Sequence, residues 1–211
     1  MIVFSVVALF LIFATVAFGA EWFVEGKPLG GVEIANTAKG GHAFKIIKNN
    51  GKIEIECKQL LFGDKSALTP PNRITAPSMA LTSCTVIKPA GTPCEVESLP
   101  NKIKGQIETV PAEAVVEVGG VKITPQAGKT LATFNLVGAG CGGQAGKWTI
   151  KGSIESTVTK LAEETIEKPF SFTSTSGSEL EIEGESEASE KAEFTGEDEI
   201  KLAAGQDWSY R

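Results

Sequence analysis

The residues best suited to covalent or metal chemistry in this chain are four cysteines, Cys57, Cys84, Cys94 and Cys141, and a single histidine, His42. A Ser-His-acid triad would have to use His42. That residue stands in Lys39-Gly40-Gly41-His42-Ala43-Phe44, at the start of an expected strand, and no G-x-S-x-G elbow accompanies it. It reads as a surface or hairpin residue. Zinc would need short paired spacings such as C-x2-C, and the four cysteines have none. An even cysteine count in an exported chain points instead to two disulfides. Cys84 and Cys94 bracket a stretch whose Pro89, Gly91 and Pro93 supply turn chemistry. The expected pairing is therefore Cys84–Cys94 across a hairpin neck, with Cys57–Cys141 closing a long loop. Cysteines oxidised in this way are not nucleophiles.

Gly138-Ala139-Gly140-Cys141-Gly142-Gly143 matches G-x-G-x-x-G letter for letter. A dinucleotide site needs a helix to open directly after the glycines, so that its N-terminus meets the pyrophosphate. Here Gln144-Ala145-Gly146-Lys147-Trp148 follows, a turn and then a strand. Gly146-Lys147 and Gly128-Lys129-Thr130 resemble phosphate-loop endings, but Cys141 and Ile123 replace the required upstream glycine. Paired carboxylates for glycoside hydrolysis could be drawn from 23 Glu in many ways, which makes any one choice uninformative. Residues 179–199 hold nine Glu, one Asp and only Lys191. That run reads as the solvated outer face of edge strands, where charge blocks edge-to-edge pairing. A calcium surface would want an Asp- and Gly-rich loop, which is missing. No catalytic, cofactor-binding or metal-binding residue is assigned, and no cofactor is expected.

The elements that would carry these residues read as strands. Phe44-Lys45-Ile46-Ile47-Lys48 and Lys52-Ile53-Glu54-Ile55-Glu56-Cys57 flank Asn49-Asn50-Gly51, a strong hairpin signal. Strict alternation puts Ile53, Ile55 and Cys57 on one face. A second hairpin is expected over 115–118 and 121–123, around Gly119-Gly120. Further strands are expected at 81–87, 103–110, 131–137, 148–158, 170–175, 179–183, 191–194 and 199–202. The one expected helix is short, over 160–167, where good helix formers precede Pro169. Residues 63–77 carry three prolines and read as a loop. Trp148 is expected in the core. Trp22 and Trp208 are expected to pack together if the terminal strands are neighbours. A sugar-binding platform would need several aromatic rings on one face.

Residues 1–20 contain no charged side chain and are apolar almost throughout. The run fits a secretory signal over 1–19, cleaved after Gly19, with a retained anchor as the alternative. The remainder, 20–211, reads as one all-β domain, with a possible subdivision near 100. The net charge is −6, which is repulsive to phosphate backbones, so no nucleic-acid partner is expected. No N-x-[ST] site occurs, so N-glycosylation is not expected. An immunoglobulin domain proper is not supported either, because no Trp lies between Cys57 and Cys141.

A sparse pattern spans most of the mature chain. Glu21-Trp22 follows the apolar run, a strand ends in Ile55-Glu56-Cys57, and Ser83-Cys84-Thr85-Val86 precedes Gly91 and Cys94. Gly140-Cys141 comes later, and the chain closes with Gly205, Trp208 and Ser209. In this it resembles a group of uncharacterised, secreted, β-rich bacterial proteins, mainly actinobacterial. The resemblance implies export and a β fold, and no site. The expectation is thus an all-β antiparallel sandwich or partly open barrel, disulfide-stapled, with at most one short helix. Its expected role is structural or binding, by self-association or adhesion in the cell envelope or extracellular space. The partners would be itself or envelope components, with the membrane only if the N-terminal segment is retained. The alternatives are a carbohydrate-binding β module and a secreted hydrolase using paired Glu.

Overall fold

The computed structural model describes residues 22–30, 32–35, 44–48, 52–90, 93–117, 120–157, 161–165, 168–173, 179–185 and 187–210. The apolar run 1–20, His42, the Asn49-Asn50-Gly51 turn and Gly119 lie outside them. Within them the protein is all-β and antiparallel, and the strands do not close into a barrel. The one helical element is the short 3-10 segment Ala139–Gln144. No helix among the described residues is long and apolar enough to cross a membrane.

Three sheets make up the body. The first runs Gln59–Phe62, Met79–Thr82, Gln106–Thr109, Thr130–Val137, Gly146–Lys151, Glu181–Gly184, and then the start of Glu187–Leu202. The second runs Val32–Ala35, Ala67–Thr69, Arg73–Ala76, Ala112–Glu117, Gly120–Pro125, Ile154–Thr157. The third runs Thr85–Lys88, Glu54–Cys57, Phe44–Lys48, the later part of Glu187–Leu202, and Lys168–Thr173. The 16-residue strand Glu187–Leu202 therefore serves more than one sheet. A fourth, smaller sheet has the order Leu161–Thr165, Trp208–Tyr210, Trp22–Val24, Lys27–Pro28.

The period-2 pattern explains the core. Ile53, Ile55 and Cys57 are fully buried, as alternation requires. Leu131, Phe134, Leu136, Trp148 and Ile150 are buried from the first sheet, Ile74 and Ile123 from the second. Each large apolar side chain removed from water contributes about 1.5–3 kcal/mol. A residual void of about 30 Å³ lies where the sheets meet, lined by Leu60, Leu81, Ile107, Ile123, Ile150 and Phe194. The strands of both expected hairpins pair: Ile46 with Ile55, and Val116 with Val121.

Three local expectations are overturned. Residues 161–165 are a strand, not a helix, and register Leu161 against Tyr210 and Thr165 against Trp208. So short a segment cannot nucleate a helix by propensity alone, and an available strand partner wins. The supposed loop 63–77 contains a hairpin, Ala67–Thr69 against Arg73–Ala76. Its prolines, Pro70, Pro71 and Pro77, fall outside the strands, where no ladder donor is lost. Leu68 and Ile74 are buried opposite one another. The acidic strands are not edges, because Glu181–Gly184 is paired on both sides. Their glutamates do face outward: Glu179, Glu181 and Glu193 are exposed.

The disulfide pairing also differs. The bridges are Cys57–Cys84 and Cys94–Cys141. Glu54–Cys57 continues through Lys58 into Gln59–Phe62, and Met79–Thr82 continues through Ser83 and Cys84 into Thr85–Lys88. The two bent ribbons pair along both halves, Leu60 with Leu81 and Ile55 with Val86. Cys57 and Cys84 meet at the bend, Cα atoms 3.9 Å apart. The bridge thus fixes the corner where the ribbon leaves the first sheet for the third. A Cys84–Cys94 hairpin does not form, because Thr85–Lys88 pairs with Glu54–Cys57 and Glu95–Ser98 with the end of Thr130–Val137. The latter pairing brings Cys94 beside Cys141.

Candidate functional site

The residues of the sequence motifs do not converge. Gly138 to Gly143 form the 3-10 turn around the bridged, buried Cys141. Gly138 has φ +114, and a Cβ there would lie 2.2 Å from the Pro93 carbonyl oxygen. These glycines let the turn press against Pro93, and no helix long enough to receive a pyrophosphate follows. The Trp148 indole donates to the Gln144 carbonyl at 2.8 Å, tying the turn to the next strand. All three tryptophans are buried, so none contributes to an exposed sugar platform. Among the described residues no three Cys, His, Asp or Glu side chains gather as metal ligands.

What the fold does assemble is an open cleft of about 580 Å³ with lysine on its walls. Lys122, Lys129, Lys151 and Lys191 line it together with Glu179 and Glu181. Strand register explains the arrangement. Lys151 is the Cα partner of Glu181, and Glu181 is the partner of Lys191. A cation–anion–cation row therefore crosses three adjacent strands of the first sheet, with opposite charges at neighbouring positions. Lys122 comes from the second sheet, where it pairs with Glu155 at 2.8 Å. Lys151 also ion-pairs with Glu183, and the Ser189 hydroxyl donates to Glu181 at 2.8 Å. Lys129 stands on the turn between Gly120–Pro125 and Thr130–Val137, and it is exposed. Lys129 and Lys191 have no ion-pair partner among the described residues.

Gly152 is part of the cleft lining. Its N–H donates to the Lys129 carbonyl at 2.8 Å. Its φ is +91, and a Cβ there would stand 2.0 Å from the Glu179 carbonyl oxygen. The backbones of Lys129 and Glu179 both meet Gly152, a position that only glycine can occupy without displacing backbone. Gly152→Ala is expected to cost about 2 kcal/mol or more in stability, from the left-handed backbone and the steric clash together. Gly128 also has positive φ, +69, but a Cβ there meets nothing within 4 Å. Gly128→Ala should cost only about 1 kcal/mol. Urea denaturation of the two variants measures the difference, and equal losses would show that the packing at Gly152 is not what constrains it.

Lys104 is held above the ordinary lysine value by its hydrogen bond to Glu95 at 2.6 Å and by the charges of Glu95 and Glu97. The cleft itself offers point charges and hydrogen-bond acceptors, and its lining includes no histidine or cysteine. Sequence reasoning missed it. Gly128-Lys129 resembles only an incomplete phosphate-loop ending, and the other lysines lie in segments far apart in the chain.

The fold and cleft define a disulfide-stapled, antiparallel all-β protein with a lysine-lined cleft. No protein-family model matches this chain, and searches of curated proteins and of solved structures return no match.

Proposed function

We propose that this chain is an extracellular or cell-envelope β-protein with a structural or binding role, by self-association or adhesion. The lining of the cleft carries the reading. Its charges are lysines and glutamates set on rigid strands, suited to holding a ligand. The lining includes no histidine, the side chain that most often acts as general base near neutral pH. The two disulfides support the location, because such bonds persist in oxidising compartments. The partners on this reading are envelope components or further copies of the chain. The hydrolase alternative is disfavoured, because Glu179 and Glu181 share their cleft with four lysines. A carbohydrate module built on aromatic stacking is disfavoured by the burial of Trp22, Trp148 and Trp208.

Native mass spectrometry of protein recovered from the cells that make it, with fractionation of envelope and medium, tests the reading. The expected outcome is a two-disulfide chain held at the envelope or in assemblies. A strictly monomeric species, entirely in the medium and binding nothing in a polysaccharide and envelope screen, would overturn it.

A further inference from the structure

We infer that the lysine cleft binds an acidic, hydroxyl-rich polysaccharide of the polyuronate kind. The inference rests on the binding role proposed above and names its ligand class. The volume, about 580 Å³, lies in the range of small-ligand pockets and far exceeds what one sulfate or phosphate would fill. The cleft is open, so a chain can run through it without being enclosed. Lys122 and Lys151 are already engaged, by Glu155 and by Glu183. Lys129 and Lys191 form no ion pair among the described residues, although Lys191 stands across the ladder from Glu181. Two such cations, one from the turn before Thr130–Val137 and one from Glu187–Leu202, call for an anion at more than one point along the ligand.

The glutamates narrow the class. Glu179 and Glu181 are exposed in the same cleft, and ionised carboxylates only accept hydrogen bonds. A ligand of anionic groups alone would meet repulsion there. A ligand with sugar hydroxyls between its carboxylates would give the glutamates donors and the lysines anions at once. The net charge of −6 does not forbid this, because at physiological salt a charge is screened within about 8 Å. The nearest groups decide the local balance.

The test is isothermal titration of the full oxidised protein with polygalacturonate oligomers at about 0.15 M salt, with neutral dextran as the control. Wild type should bind polygalacturonate and ignore dextran. The double variant Lys129→Gln/Lys191→Gln should lose about tenfold or more in affinity while keeping its fold, because it removes two charge-assisted contacts at exposed positions. Glu179→Ala should weaken polygalacturonate binding, and a site for simple anions would instead take sulfate more tightly in that variant. Failure to bind polygalacturonate, unchanged affinity in the double variant, or tighter binding in Glu179→Ala would each overturn the inference. If wild type and double variant are held equally at the cell envelope, the cleft inference falls and the binding role stands.

Discussion

Removing the Cys94–Cys141 bridge, as Cys94→Ala/Cys141→Ala, is expected to cost about 4 kcal/mol. The bond closes a loop of sequence separation 47, and loop-closure entropy restored to the unfolded chain sets that magnitude. Cys57→Ala/Cys84→Ala should cost about 3.5 kcal/mol, for a separation of 27. Alanine is the right replacement, since Cys57 and Cys141 are buried and a serine hydroxyl would need a partner there. The two losses should differ in kind as well as size. Cys94–Cys141 secures a sheet end that Gly138 and Gly140 already hold against Pro93. Cys57–Cys84 secures a bend, where Lys58 N–H donates to Thr82 and Cys84 N–H to Gly105. Without that bridge, hydrogen exchange should rise first in Glu54–Cys57 and Thr85–Lys88, beyond the corner. Denaturant titration with peptide-mapped exchange checks both statements. Losses under about 1 kcal/mol for either pair would mean that the strand ladders alone constrain these corners.

Local signals were legible in the sequence and convergent ones were not. Ile53, Ile55 and Cys57 announced a buried strand face because alternation is a property of the strand itself. The hairpin joining Ala112–Glu117 to Gly120–Pro125 was visible for the same reason. Ala67–Thr69 and Arg73–Ala76 were hidden because their three prolines sit at the turns and mask two short alternating runs. Leu161–Thr165 has helix-forming residues and becomes a strand through its ladder to Trp208–Tyr210, a non-local pairing that propensity cannot report. The disulfide pairing failed on the same ground. Chain proximity favours Cys84–Cys94, whereas sheet order places Cys84 beside Cys57. The cleft is the extreme case: Lys122, Lys129, Lys151 and Lys191 come from four turns or strands, and only register aligns Lys151, Glu181 and Lys191. The expected pairing of Trp22 with Trp208 did come true, because their short flanking runs form neighbouring strands.

That tryptophan pair carries the other large effect. The rings stand edge to face with centroids 5.6 Å apart, and both residues are buried. Around them the backbone ties one end of the described chain to the other. Val24 registers against Trp208, the Glu25 N–H donates to the Asp207 carbonyl, and the Asp207 N–H donates to the Glu25 carboxylate. Trp208→Ala and Trp22→Ala should each cost about 3–5 kcal/mol, the usual range for deleting a buried indole. The double variant should cost less than the sum, by about 0.5–1.5 kcal/mol, since the edge-to-face contact is lost only once. Strict additivity would mean that the rings contribute through separate walls of the core and not through each other. Hydrogen exchange then decides how far the small sheet is independent. If Trp208→Ala exposes Trp22–Val24 while Thr130–Val137 and Gly146–Lys151 stay protected, the four-stranded sheet opens as its own cooperative unit. If protection falls everywhere together, the pair is part of the single core to which both tryptophans contribute buried surface.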